Sequence, residues 1–204
     1  MYMDSFEFFE NIEQDETTPS DLLPMTDSPV YMTNEFCDEL KLEESTTAAV
    51  QEFIEADENR HPPYGEASIE QRAEYLMDFH DRFNEATGYS NNLHFRENME
   101  EGNLGAFNPE TKQIDLNANL LKDSDAQEVM ETIMHESRHA FQDFAINHPE
   151  QVSVDQETID TWKYNFANYI RPEFDFEAYE SQPVEADANE FSEKMYCEGY
   201  TNVA

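Results

Sequence analysis

Two histidines and a glutamate are spaced for metal chemistry in the segment His135-Glu136-Ser137-Arg138-His139, an HExxH motif. If the segment is helical, His135 and His139 lie one turn apart, where both imidazoles can bind a single Zn²⁺. Glu136 is then placed to act as general base on the water that such an ion activates. The alternative is a polar helix face that carries two histidines by coincidence.

The motif lies within residues 126–148, which have the pattern of a long amphipathic helix. Ser124 and Gln127 form a capping-box pattern at its start, and Pro149 ends it. Gln142 and the two histidines lie on the polar face of a helical wheel. The opposite face is apolar and comprises Val129, Met130, Ile133, Met134, Ala140, Phe141, Phe144 and Ala145.

A catalytic zinc ion usually has three protein ligands, so a third ligand is needed. Ala145 stands where a metzincin has its third histidine, and His148 is too far along the helix from His135. A carboxylate from a later helix remains, and Glu185 is favoured because Ala188 permits close helix approach and Asn189 can support a ligand imidazole. The acidic candidates are Glu177, Glu180, Glu185, Asp187, Glu190 and Glu193.

The segments HESRHAFQ and EADANEF together resemble the gluzincin arrangement, an HExxH helix followed by a glutamate on a downstream helix. The second segment is similar to the ExxANxFA motif of ImmA/IrrE-type metallopeptidases, and the first to metallopeptidase domains of phage and polymorphic-toxin proteins. The resemblance covers roughly residues 92–198. It implies that His135, His139 and Glu185 are metal ligands and that Glu136 is the catalytic residue.

The residues before the motif predict a helix and then a small sheet. Ser68 and Gln71 form a capping box for a helix that ends near Gly88. Its apolar stripe includes His80, which we interpret as a core or interface residue rather than a ligand. From Asn92 the period changes to alternation, which predicts short antiparallel strands. An edge strand of such a sheet can pair with an extended substrate. We therefore predict an α+β, zincin-like fold, mostly helical, with a small antiparallel sheet next to the HExxH helix.

Two helices are predicted after the motif. Ser153 and Gln156 form a capping-box pattern for the first, which carries Trp162 inward. Pro183 begins the second, and Gly199 is expected to cap its end. Its buried stripe is expected to comprise Val184, Ala188, Phe191 and Met195.

Residues 1–60 are predicted to be an acidic N-terminal extension to a zincin-like metallopeptidase domain of residues 61–204. The extension carries 17 acidic and two basic side chains, with aromatic residues that include Phe6, Phe8 and Phe9. It is either a disordered leader or a segment that docks through its aromatic residues. We expect hydrophobic docking. Occlusion of the cleft, with Cys37 as a further metal ligand, is the less favoured alternative. A short helix is predicted over residues 46–56.

The formal net charge of −36 limits the classes of partner. Such a field repels phosphate backbones, so we expect no nucleic-acid binding, and it attracts basic proteins. The sequence shows neither a signal-peptide pattern nor an apolar stretch of membrane-spanning length, so we expect no membrane association. Two cysteines form no disulfide framework. The expected location is the cytoplasm, or outside the cell by a route that needs no N-terminal signal peptide, and the oligomeric state is left open.

The function predicted from these residues is zinc-dependent hydrolysis of a peptide or protein substrate, with basic substrates favoured by charge. Candidates for stabilising the oxyanion are Tyr179, Tyr169 and His148. Arg138 is expected to form a structural ion pair with Glu185 or a neighbour, the alternative being a contact to a substrate carboxylate. Asp143 either supports a ligand histidine or lies in solvent. The alternative function is a catalytically inactive acidic binding protein or DNA mimic on a zincin scaffold.

Overall fold

The computed structural model describes residues 38–88, 91–99, 102–123 and 125–203. Six α-helices, three short 3-10 helices and three strands are found in this part of the chain. The helices are α1 (Glu39–Asn59), α2 (Ile69–Thr87), α3 (Gln127–Asn147), α4 (Gln156–Ala167), α5 (Phe176–Ser181) and α6 (Pro183–Val203). The strands are β1 (Asn92–Arg96), β2 (Gly105–Asn108) and β3 (Gln113–Asn117).

The sheet is mixed, so the predicted antiparallel sheet is wrong in one of its two pairings. β2 and β3 form the expected antiparallel hairpin, whose turn is held by Asn108 Oδ1, an acceptor for the backbone N–H groups of Glu110 (2.9 Å) and Thr111 (3.1 Å). β1 instead pairs parallel with β3, and the strand order is β1-β3-β2. Alternation identifies a strand but carries no information on the direction of its neighbour. The rest of the fold class, α+β and mostly helical with a small sheet, is confirmed.

α3 is the central element, because it packs against α6, α4, β2 and β3. Its contact with β2 is close at Gly105, where an added Cβ would lie 2.9 Å from Thr132 Cγ2 and 3.1 Å from Glu136 Cγ. Only a residue without a side chain allows the strand this near to the helix. The edge strand β2 therefore lies directly beside Glu136.

Helix α1 extends beyond the predicted residues 46–56 and belongs to the core. Val50 and Phe53 are buried where α1 packs against α2 and α6. α1 therefore packs on the rest of the described chain through apolar side chains. Phe6, Phe8, Phe9 and Cys37 lie outside the described residues. Docking of the leader through its aromatic residues and occlusion of the cleft therefore remain predictions, as does the boundary at residue 60.

Gly199 does not cap α6, contrary to prediction, because the helix continues through it to Val203. An added Cβ at Gly199 would lie 2.6 Å from Cβ of Val50 on α1. This glycine therefore serves close helix packing rather than helix termination. The prediction of Pro183 in the first turn and of a buried stripe on α6 is confirmed.

Of the predicted capping boxes, only that of α2 has the expected form, with Ser68 and Gln71 hydrogen-bonded reciprocally and Gly88 left-handed at the end. Ser124 lies outside the described residues, but α3 begins at Gln127 with Ala126 at the N-cap position, so Gln127 is not the third helical residue that the predicted box requires. The box predicted at Ser153 is also wrong: Asp155 caps α4, and the Ser153 hydroxyl accepts a hydrogen bond from Glu39 N (2.8 Å). Aspartate is as good an N-cap residue as serine, so an aspartate close to the start of a helix can cap it in place of the predicted serine.

None of the helices in the described ranges is long and apolar enough to cross a membrane.

Candidate metal centre

His135 and His139 lie one turn apart on α3, and both imidazoles are completely buried. The spacing of four residues brings the rings together on the side of the helix that faces α6. Their Nε2 atoms are 3.0 Å apart, and the ring planes are almost perpendicular at 80°. Two nitrogen lone pairs can therefore point towards one position between the rings.

Glu185 reaches the same position from the first turn of α6. Its Oε2 lies 3.3 Å from Nε2 of His135, and its Oε1 lies 3.4 Å from Nε2 of His139. Ala188 is fully buried, consistent with the expected role of a small residue that allows α6 to approach α3. The sequence-based choice of Glu185 among six acidic candidates is consistent with this convergence.

The three donors could hold a metal ion. Donors placed tetrahedrally at about 2.0–2.1 Å from a zinc ion are about 3.3–3.4 Å from one another. The two imidazole nitrogens are 3.0 Å apart, and the nearest carboxylate oxygens, Oε2 to His135 and Oε1 to His139, lie 3.3 and 3.4 Å away, which is close to this range. The three residues could therefore hold a metal ion.

Gln142 determines which nitrogen of His139 is available to a metal. Its Nε2 donates to the carbonyl oxygen of Val184 (3.0 Å) and to Oδ2 of Asp187 (2.6 Å). Its Oε1 therefore faces Nδ1 of His139 at 2.8 Å and accepts a hydrogen bond from it. The proton on Nδ1 leaves Nε2 as the lone-pair donor.

Other side chains orient the remaining two donors. The side chain of Asn189 interacts with the imidazole of His135, as predicted from its position one turn after Glu185. The hydroxyls of Tyr169 and Tyr179 donate to Oε1 (2.7 Å) and Oε2 (3.0 Å) of Glu185. These two tyrosines, predicted as candidates for the oxyanion, are thus placed on the carboxylate.

The electrostatics of the cluster favour an ionised carboxylate. Burial opposes the charge of Glu185, but the imidazoles of His139 and His135 hold its pKa well below the usual range. Burial likewise opposes charge on His139, yet Glu185 more than offsets it and raises the pKa of His139 to about 9. For His135 burial dominates and lowers the pKa. A negative charge between two imidazoles attracts a cation.

Glu136 is completely buried next to the cluster rather than at the edge of an exposed polar face. Its charge contributes to the raised pKa of His139, so the carboxylate lies within electrostatic reach of the donors. The Cγ atom packs against β2 at Gly105. The predicted catalytic residue and the predicted metal ligands therefore belong to one site.

Three further predictions have mixed outcomes. Arg138 forms the expected structural ion pair, with Asp187 (2.8 Å) rather than with Glu185. Asp143 neither supports a ligand histidine nor remains in solvent, because it pairs with Lys112. His148 follows α3, and its ring packs at 4.8 Å from the ring of Phe144.

The role of Gln142 was not predicted from the sequence, although its position three residues after His139 indicates a possible contact with that imidazole. Side chains three apart on a helix are neighbours, so a glutamine there can reach the second imidazole nitrogen. Asp187 was considered only as a ligand candidate. In the structure it holds Gln142 instead.

No known family, curated protein or solved structure matches this chain. Function is therefore inferred from its own residues and their geometry.

Proposed function

We propose that this protein is a zinc-dependent metallopeptidase with a zincin-like catalytic domain. The observation that supports the proposal most directly is the convergence of His135, His139 and Glu185, whose nearest donor atoms lie 3.0–3.4 Å apart. Two imidazoles and one carboxylate are the donor set of many catalytic zinc sites, which keep a fourth position open. A closed structural zinc site has no need of Glu136 beside it.

Zn²⁺, when held by these three residues, lowers the pKa of a water molecule to about 7 and stabilises negative charge that develops on a carbonyl oxygen. Glu136 is the general base: a carboxylate oxygen accepts a proton as water attacks the scissile carbonyl carbon. The same carboxyl group then donates this proton to the nitrogen of the leaving amine. The C–N bond breaks, and the carboxylic acid and amine that form ionise to a carboxylate and an ammonium ion.

The surrounding side chains prepare the donors for this role. Gln142 holds the Nδ1 proton of His139, which keeps Nε2 available. Tyr169 and Tyr179 donate to Glu185 and stabilise its ionised form. Such outer partners typically change metal affinity or activity about 10–100-fold.

The order of elements supports a peptide as substrate. The hairpin of β2 and β3 precedes the HExxH helix, and β2 is one of the two edge strands of the sheet as described, the one beside Glu136. An edge strand offers main-chain hydrogen bonds to an extended peptide. The net charge of −36 favours substrates with basic residues.

The net charge also motivates a second candidate, an inactive acidic binding protein or DNA mimic on the same scaffold. Such a protein has no need of a buried Glu136 next to three convergent donors. Metal content separates the two candidates, because a mimic should purify with little zinc and ignore chelators.

Glu136→Gln tests the peptidase mechanism. The variant should bind zinc like the parent, while cleavage of a mixture of unstructured peptides, followed by mass spectrometry, should fall about 10²–10⁴-fold because an amide accepts no proton. Glu131→Gln, the same change on α3 outside the cluster, is the control and should cleave normally. Parental cleavage by the Glu136→Gln variant, or cleavage that survives complete removal of metal, would disprove the mechanism.

A further inference from the structure

A line of hydrogen bonds connects His139 with the first residue of α1. Nδ1 of His139 donates to Gln142 Oε1 (2.8 Å), and Gln142 Nε2 donates to Asp187 Oδ2 (2.6 Å). Arg138 donates to both oxygens of Asp187 (2.8 and 2.9 Å) and to Oε1 of Glu39 (2.6 Å). Side chains from α3, α6 and α1 thus form one continuous network.

Arg138 is the fixed centre of this network. Its guanidinium lies 4.8 Å from the ring of Phe141, 5.6 Å from Trp162 and 5.0 Å from Phe191, and the residue is only 5% exposed. A planar guanidinium with several donors can hold two carboxylates at once, which a lysine cannot do with the same geometry. Arg138 fixes the position of the Asp187 carboxylate, and this carboxylate in turn accepts the hydrogen bond from Gln142.

The outer end of the network depends on α1. Glu39 is the first residue of that helix, and its backbone N–H donates to the Ser153 hydroxyl at 2.8 Å. Its carboxylate is partly exposed, whereas the other members are more deeply placed. Docking of α1 therefore brings a carboxylate to Arg138 that no neighbour on α3 supplies.

We propose that docking of α1 controls the metal affinity of the centre. Glu39 acts through Arg138, Asp187 and Gln142 to hold His139 in the orientation and tautomer that bind the ion. The proposal rests on the metal centre proposed above and adds positioning residues to it. According to this proposal α1 determines how tightly the metal is bound, although no residue of α1 is a metal ligand.

The test compares Glu39→Gln with Glu43→Gln in the full chain. Both variants remove one carboxylate from α1, but Glu43 pairs with Lys194 of α6 (2.8 Å) outside the network. Metal-free proteins are titrated with Zn²⁺ against a chromogenic chelator, and with Co²⁺, whose visible absorption reports its coordination. Glu39→Gln should bind zinc about tenfold more weakly, the lower end of the effect of outer partners. Glu43→Gln should bind like the parent, since exposed ion pairs contribute little.

Two further measurements separate positioning from general loosening. Asp187→Asn should lose nearer a hundredfold in zinc affinity, because Asp187 contacts both Arg138 and Gln142. In the zinc-bound proteins, ¹⁵N spectra of the imidazoles should show the Nδ1–H proton of His139 exchanging faster with water in Glu39→Gln than in the parent, and unchanged in Glu43→Gln.

The outcomes distinguish this proposal from the proposed function. Equal zinc affinity of Glu39→Gln and the parent would overturn the control by α1 and leave the metal centre intact. Equal weakening by Glu39→Gln and Glu43→Gln would also overturn it, since any loosening of α1 would then suffice. Failure of the parent protein to bind Zn²⁺ or Co²⁺ would overturn the metal centre and this proposal together.

Discussion

The surroundings of His80 on α2 can be compared with those of His135 and His139 on α3, because all three imidazoles are almost fully shielded from solvent. His80 Nε2 lies 2.5 Å from Asn91 Oδ1, and burial lowers the pKa of His80. At the metal centre a buried carboxylate takes the place of the amide. There the pKa of His139 is raised to about 9.

This difference shows that burial and a histidine do not make a metal site by themselves. Within the described residues, His135, His139 and Glu185 form the one cluster of three side chains able to hold an ion. An amide partner completes the hydrogen bonding of a neutral imidazole. A carboxylate that reaches two imidazoles supplies a negative charge and a third donor atom for a metal ion. His80 is buried in the core, which agrees with the prediction of a core or interface residue. Single substitutions should convert each region in part into the other.

The largest effect is expected when the metal centre is made to resemble the surroundings of His80. Glu185→Gln replaces the carboxylate by an amide, so zinc affinity should fall by more than the roughly 10–100-fold typical of an outer partner. The pKa of His139 in the metal-free protein should fall as well, because burial is then no longer offset. Chelator competition and proton NMR titration measure the two quantities.

The control for this prediction is Glu190→Gln, an exposed acid on the same helix. It should leave zinc affinity and the titration of His139 unchanged. Retention of parental zinc affinity by Glu185→Gln would show that another residue is the third ligand.

A smaller effect is expected from the pH dependence of stability at His80. Since its folded pKa lies below 6.5, the unfolded chain binds more protons below that pH. The free energy of unfolding should therefore be fully maintained above about pH 6.5 and fall as pH decreases towards the folded pKa, by up to about 1.4 kcal/mol per pH unit.

His80→Gln keeps an amide donor for Asn91 but does not titrate, so it isolates this contribution. Denaturant unfolding of the metal-free proteins at pH 7.5 and 5.5 should show a larger loss for the parent than for the variant. An equal loss in both proteins would mean that His80 does not remain neutral in the fold.

The smallest effect is expected from the reverse conversion, Asn91→Asp, which places a carboxylate beside His80. The pKa of His80 should rise by about one unit or more through the added charge, as NMR titration would detect. Zinc affinity of the whole protein should not change, because the new carboxylate would face Nε2 of His80 whereas Asp81 lies 3.9 Å from Nδ1, so only two donors would face a common point. A second zinc equivalent bound by this variant would contradict the comparison.

The local features of this protein followed from sequence because they act over a few residues. The HExxH spacing, the cap of α2, the Pro183 start of α6 and the core position of His80 depend on neighbours within about one helical turn. The choice of Glu185 depended in addition on the small Ala188 three residues later. These features required no knowledge of which surfaces meet.

Only the tertiary structure decided the partners that come from distant segments. The parallel pairing of β1 with β3, the packing of Gly199 on Val50 and the use of Ser153 to bind α1 join residues far apart in the chain. Several acidic side chains were equivalent by pattern, and the packing of α6 on α3 placed Glu185 beside both imidazoles and Asp187 against Gln142. The hydrogen-bond network from His139 to Glu39 joins three helices. The periodicity of apolar residues along one helix does not indicate which other helices pack against it, so this network could not be predicted from the sequence.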